Sequence, residues 1–126
     1  MPATKKLKWK RVAPGYYKAD AVTVLYNPRT DELWLQDVEA SVSRVENDWG
    51  VSWIVLIGFF DQYSYTALVD GADPVNTYAD AKASAAYSLD GGFVSSKWGW
   101  VDPGEGTEDE KLMMDFRRDL GVGFYG

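Results

Sequence analysis

The chain of 126 residues is 46% hydrophobic and 25% charged, the proportions of an ordinary globular domain, and its net charge is −6. It contains no cysteine and no histidine, which excludes disulfide scaffolds, zinc fingers, haem and iron–sulfur ligand sets, and histidine-based catalytic triads. Its size fits one domain spanning residues 1–126, and no linker or repeat divides it.

The first part of the chain predicts a series of strands. Leu7–Val12 alternates apolar residues with lysines, which is typical of a strand with one solvated face. Tyr16–Tyr26 and Leu33–Val38 are separated by a turn sequence that contains proline and aspartate, so we expect them to form a hairpin. Ser41–Glu46 predicts a further, weaker strand.

Val51–Phe60 is the most strongly predicted strand. Both of its alternating faces are mostly apolar, so we expect a central strand that is covered on both sides. Tyr63–Val69 follows as its hairpin partner. We expect the second face of Val51–Phe60 to be covered by a C-terminal helix, by the segment Trp98–Trp100 or by another protein.

Two helices follow the strands, and residues 93–106 between them are expected to be irregular. Tyr78–Leu89 predicts the first helix, with Thr77 as its N-cap and glycines after its end. Glu108–Leu120 predicts the second, which begins at a capping box formed by Thr107 and Glu110. The apolar stripes are Tyr78, Ala81, Ala85 and Leu89 in the first helix, and Leu112, Met113, Phe116 and Leu120 in the second. The expected fold is α+β: an antiparallel sheet of about five or six strands with one helix packed on a face and a second, C-terminal helix.

Aromatic residues are abundant, at 15% of the chain, and they provide the first candidate site. Large aromatic side chains dominate the binding energy of many protein interfaces. The tryptophans that flank Gly99 are either anchors for a partner or indoles that fold back onto the sheet. The candidate partner-binding residues are Trp98, Trp100, Phe59, Phe60, Tyr63 and Tyr65.

The basic N-terminal segment provides the second candidate. Residues 1–19 contain lysines and an arginine but no acid, whereas the rest of the chain is acidic. One hypothesis is a strip that follows phosphates with one stacking aromatic. The other is an edge strand whose lysines prevent edge-to-edge pairing while the tryptophan enters the core. The candidate nucleic-acid-binding residues are Lys5, Lys6, Lys8, Trp9, Lys10 and Arg11.

Acidic residues provide no comparable candidate. The acids between Asp102 and Asp119 are typical of a solvated helix start that complements the helix dipole, more than of a row that mimics DNA phosphates. Asp80-Ala81-Lys82 and Asp109-Glu110-Lys111 match half of a nuclease signature, but on helices residues i and i+2 diverge. We therefore expect no catalytic residue, no metal site and no cofactor.

Several short motifs follow one another in a familiar order: Trp9, then Pro14-Gly15-Tyr16-Tyr17, a hairpin with Trp34-Leu35, and Thr77-Tyr78-Ala79-Asp80-Ala81-Lys82. This succession resembles the small β-sheet-plus-helix accessory proteins of unknown function from actinobacterial phages. The resemblance covers roughly residues 7–37 and 76–90. The chain departs from that pattern by inserting residues 39–70 and by adding everything after Gly91. The resemblance implies a phage or prophage accessory protein, and it transfers no catalytic residue.

Function is therefore expected to lie in binding. The leading hypothesis is a non-enzymatic phage-type protein that binds and modulates a host or phage protein. The alternative is a nucleic-acid-binding accessory protein that uses the basic N-terminal strand. A virion structural protein and a Mg²⁺-dependent enzyme rank below both, and the sequence leaves the oligomeric state open, a homo-oligomer included. The N-terminus has no secretion signal and the longest apolar run is too short to cross a bilayer, so we expect a protein of the host cytoplasm that does not contact membranes.

Overall fold

A computed structural model describes residues 6–126, and its architecture is α+β, as predicted. A mostly antiparallel sheet accompanies two helices. In chain order the elements are β1 (Lys10–Ala13), β2 (Tyr16–Asn27), β3 (Glu32–Asn47), β4 (Gly50–Phe60), β5 (Tyr65–Asp70), α1 (Tyr78–Gly91), β6 (Phe93–Ser96), β7 (Gly99–Val101) and α2 (Glu108–Asp119).

The strands lie in the order β5-β4-β3-β2-β6-β7. Strand β1 also pairs with β2, at the start of β2, whereas β6 pairs in parallel with Leu25 and Tyr26 near its end. The end strands β5 and β7 approach each other, with Cα atoms within 8 Å. The sheet is therefore strongly curved and almost closes on itself.

The long β2–β3 hairpin corrects one sequence prediction. Leu33–Val38 and Ser41–Glu46 were expected as separate strands, but they form one strand of 16 residues. The paired residues run without interruption from Tyr16 opposite Ser43 to Asn27 opposite Glu32. Alternation continues through the predicted break because Val38, Ala40 and Val42 are all buried on one side.

That side, which we call the inner face of the sheet, packs against α1. Ala81, Ala85 and Leu89 of α1 are fully buried there, as the sequence predicted. The alanines allow the helix to approach the strands closely because they carry no atoms beyond Cβ. The helix begins at Thr77, whose hydroxyl accepts the backbone N–H of Asp80 at 3.0 Å.

The segment after α1 is more regular than predicted. Residues 93–96 and 99–101 form a short antiparallel hairpin, β6–β7, in a region that was expected to be irregular. The hairpin is anchored by Phe93, which is buried in the core. Strands of three or four residues are too short for an alternating pattern to stand out, so sequence periodicity missed them.

Helix α2 covers part of the opposite side, the outer face of the sheet. Met113 packs there in a second cluster with Val24 and Tyr26, and Phe116 joins it. The predicted stripe of α2 is wrong at two positions, since Leu112 and Leu120 are 40% and 53% exposed. Arg117 is the residue of this helix that is buried beside Met113.

Buried Arg117 joins the C-terminal segment to the free edge of β2, between the stretches that pair with β1 and β6. Its guanidinium donates to the carbonyl of Val22 at 2.9 Å and twice to the carbonyl of Gly123 at 3.0 and 2.8 Å. The N–H of Val22 donates to the Tyr125 hydroxyl at 2.9 Å. The C-terminal residues therefore dock on the domain and satisfy a strand edge that would otherwise be unpaired.

Candidate interaction surface

The outer face has an uncovered half beyond α2. Strand β4 was predicted to be central and covered on both sides, but it is the second strand from one end of the sheet. Its inner-face residues Val55 and Ile57 are buried, whereas Leu56 and Phe60 on the outer face are 36% and 78% exposed. Helix α2 packs on β2 and β3, and among the described residues neither helix lies over Leu56 and Phe60, although Tyr65 and Gly71 cover parts of the same face of β4.

Phe60 and Tyr65 form an aromatic pair at one end of this open surface. Their ring centroids are 4.9 Å apart across the β4–β5 ladder. The Tyr65 phenol lies directly over Gly58, where an added Cβ would come within 2.3 Å of the hydroxyl oxygen. The same Cβ would also meet the backbone carbonyl of Thr66 in β5, so any larger residue at position 58 would force β4 and β5 apart.

Tyr63 stands close to the aromatic pair, in the β4–β5 turn. The Asp61 carboxylate accepts the backbone N–H groups of Tyr63 and Ser64, both at 2.9 Å. These two hydrogen bonds lower the pKa of Asp61, because they stabilise its ionised form. The turn is thus ordered, although the Tyr63 side chain is 93% exposed.

The other predicted partner-binding residues lie elsewhere. Phe59 points to the inner face and packs against the core. Trp100 also packs against the core, edge-on to Trp34 with ring centroids 5.9 Å apart. Trp98 is 84% exposed and lines a separate cleft of about 450 Å³ between β5 and β7. The structure thus pairs Phe60 with Tyr65, places Tyr63 in the turn that joins their strands, and separates these residues from the tryptophans.

Sequence reasoning missed Trp49, which is 96% exposed at the β3–β4 turn. Its backbone N–H donates to the Asn47 side chain at 2.9 Å, so the turn that carries the indole is well defined. The residues Asn47-Asp48 predicted a turn, and Trp49 follows them directly. This position next to a turn is the signal from which the exposure of Trp49 could have been predicted.

The basic N-terminal segment forms a lysine row, which we define as Lys6, Lys8 and Lys10. These side chains are exposed, whereas the alternating Leu7 and Trp9 are half-buried against the core. The predicted alternation is thus present, with β1 beginning only at Lys10. Among the described members of the predicted set, Trp9 packs against the core and Arg11 lies outside the row.

Arg11 pairs with Tyr17 of β2, so its side chain points to the opposite side of the strand from Lys10. Lys5 lies outside the described residues. Within residues 6–126, ion pairs join Lys18 to Glu39, Arg44 to Glu46 and Arg118 to Asp115. The lysine row takes part in none of them.

Two depressions connect the lysine row with the aromatic pair. One, of about 520 Å³, is lined by the lysine row and Lys18. The other, of about 530 Å³, is lined by Phe60, Tyr65 and Gly58. Both include Asp20, Glu39 and Tyr125, so they meet on the outer face. We call their union the outer-face groove.

The middle of the groove contains charged groups of both signs. The Lys18 ammonium lies 3.2 Å from the Glu39 carboxylate, and this hydrogen bond raises the pKa of Lys18. Burial raises the pKa of Tyr65, with a further contribution from the negative charge of Glu39. Asp20 and Asp37 are exposed in the same floor. The groove therefore has a basic end, an acidic floor and an aromatic end.

The described residues include neither a group of side chains placed to hold a metal ion nor a helix that could span a membrane. Among residues 6–126, no three acidic side chains are grouped so that they could share a metal ion. Asp80 and Lys82 lie on α1, and Asp109 and Lys111 on α2, as predicted. No helix within this range has the length and apolar character needed to cross a membrane.

Comparisons with known proteins identify no relative. No family model, no curated protein and no solved structure matches this chain.

Proposed function

We propose that this chain is a protein-binding module whose contact surface is the open half of the outer face. The observation that carries this proposal is the exposure of the paired residues Phe60 and Tyr65, with Leu56 on the same face of β4, where the chain's own helices leave the sheet uncovered. Soluble proteins seldom expose a contiguous apolar patch without a binding role.

The character of the patch supports a protein partner. Tyrosine and phenylalanine side chains provide large, rigid contact areas and are enriched at the centres of protein interfaces. The patch is bordered by Glu39 and Lys18, whose charges give a polar rim. The nearby Tyr63 extends the aromatic surface beyond the end of β4. In line with the sequence resemblance, we propose that the partner is a host or phage protein that this chain modulates without catalysing a reaction.

The proposal is tested by capture from a lysate of the cells in which the protein naturally occurs. Wild-type chain is compared with the double variant Phe60→Ala/Tyr65→Ala and with a matched control, Tyr87→Ala/Leu112→Ala. The control removes two exposed apolar side chains, 58% and 40% accessible, that lie on the helices. We expect the first variant to lose a protein that both wild type and control retain, with unchanged circular dichroism. Equal capture by all three chains would contradict the proposal.

One observation favours a second candidate, binding of single-stranded nucleic acid. The lysine row and the exposed aromatic residues line depressions that meet, and basic grooves beside stacking rings are typical of such proteins. If the three lysines contact phosphates, the logarithm of the binding constant falls with the logarithm of salt concentration with a slope of about −2. A salt titration with an oligothymidylate measures this slope, and absent or salt-insensitive binding excludes this candidate.

A further inference from the structure

We infer that the outer-face groove binds an extended segment of the partner that is acidic at one end and apolar at the other. The acidic end lies at the lysine row, and the apolar end lies on Phe60 and Tyr65. This inference rests on the proposed function, which it deepens by stating the chemistry of the partner.

The lysine row is held in place by the core. Leu7 and Trp9 are packed against the buried cluster, so the segment cannot rotate freely about its own axis. Residues two apart in an extended segment are separated by about 6.6 Å, so the row spans about 13 Å. Three ammonium groups on one fixed backbone segment form a better site for adjacent carboxylates than three lysines on independent loops, because less backbone freedom is lost on binding.

The dimensions of the groove suit a short extended peptide. It crosses the sheet from β1 to β5, and these strands are four strand spacings apart. At about 4.8 Å per spacing the distance is about 19 Å, which an extended chain covers with about six residues. A segment of this length reaches the lysine row with one end while its other end contacts the aromatic pair.

The charge of the floor distinguishes a peptide from a nucleic acid. Asp20, Asp37 and Glu39 lie between the two ends, and only Glu39 has an ion-pair partner within residues 6–126. A nucleic acid crossing the floor would bring a phosphate charge to these carboxylates at every nucleotide. A peptide backbone is neutral there, and its N–H groups are donors for the same carboxylates. The groove therefore favours a peptide whose acids are confined to the lysine end.

The test uses the full chain and three fluorescent probes, measured by fluorescence anisotropy. The first is a peptide with a run of aspartates, a serine–glycine spacer and two terminal leucines. The second carries lysines in place of the aspartates, and the third is an oligothymidylate of comparable length. We expect the acidic peptide to bind at least tenfold more tightly than either of the others, and raising the salt concentration from about 50 to 500 mM to weaken it about tenfold.

Variants locate the site. Lys6→Ala/Lys8→Ala/Lys10→Ala is expected to weaken binding of the acidic peptide about tenfold, because three charge contacts are lost. Arg29→Ala/Lys97→Ala/Lys111→Ala removes the same charge from exposed positions outside the groove and is expected to leave binding unchanged. Phe60→Ala/Tyr65→Ala is expected to weaken binding while retaining its salt dependence.

Three results would overturn the inference. The first is equal or absent binding of the two peptides, and the second is tighter binding of the oligothymidylate than of the acidic peptide. The third is an equal loss of affinity for the acidic peptide in the lysine-row variant and in the Arg29/Lys97/Lys111 control. Failure of the inference differs from failure of the proposed function. If the cellular partner is lost with Phe60→Ala/Tyr65→Ala but retained by the lysine-row variant, the partner does not use an acidic segment at the lysine row. The protein-binding function then stands.

Discussion

The two halves of the outer face belong to the same sheet but have different surroundings. Under α2, Val24 and Tyr26 pack with Met113 in a closed cluster. Beyond α2, Leu56, Phe60 and Tyr65 are on the surface. The difference shows that apolar alternation in a strand reports which residues share a face, but not whether this chain or a second molecule covers that face.

The largest expected effect concerns Arg117, which links the covered half to the C-terminal segment. We expect Arg117→Ala to lower the free energy of unfolding by about 4 kcal/mol, because it leaves the buried carbonyl of Gly123 and the half-buried carbonyl of Val22 without donors. Urea denaturation measures this loss. The neighbouring Arg118 provides the control, since its ion pair with Asp115 is solvent-exposed and its removal should cost less than about 1 kcal/mol. Equal losses would show that α2 does not seal the sheet edge.

The next prediction compares one apolar side chain from each half. Met113→Ala is expected to lower the free energy of unfolding by about 3 kcal/mol, because Met113 is fully buried and its removal leaves a cavity. Phe60→Ala should cost less than about 1 kcal/mol despite removing a larger side chain, since 78% of it is already exposed. Thermal and urea denaturation of the two variants measure the difference. A loss for Phe60→Ala as large as for Met113→Ala would mean that the open half is part of the core.

The smallest effect concerns pH and the attachment of the C-terminal segment. The Asp90 carboxylate accepts the N–H groups of Tyr125 and Gly126 at 2.8 and 3.0 Å. These hydrogen bonds and the nearby Arg117 charge lower the pKa of Asp90, but burial raises it by more. The pKa therefore lies above its ordinary value of 3.8. The folded state therefore binds this proton more tightly than the unfolded state does. The resulting stabilisation is present below the ordinary pKa and is lost as pH rises through the raised one.

Asp90→Asn removes this titration while keeping a side-chain oxygen as acceptor. We expect the variant to gain stability relative to wild type as pH increases from about 3 to 6. Urea midpoints at several pH values measure this trend. A constant difference between the two proteins across that range would show that Asp90 does not titrate with a raised pKa.

Local signals were sufficient to predict the helices. Thr77 and Thr107 cap α1 and α2, and the alanine stripe of α1 identified its buried side. The buried position of Arg117 could not be predicted, because its hydrogen-bond acceptors are distant in sequence or lie beyond the helix. The groove could not be predicted for the same reason. Lys8 and Tyr65 line the same groove only because the strands between β1 and β5 set the distance between them. Sequence identified both residues as candidates but gave no reason to combine them.

The hydrogen bond between Val22 and Tyr125 joins residues 103 positions apart. During synthesis the β2–β3 hairpin leaves the ribosome long before Tyr125 does, so the free edge of β2 is unprotected until Arg117 and Tyr125 have emerged. A chain that stops before Arg117 would therefore have an open edge able to pair with other chains, and such a product is expected to aggregate rather than to accumulate as a smaller folded protein.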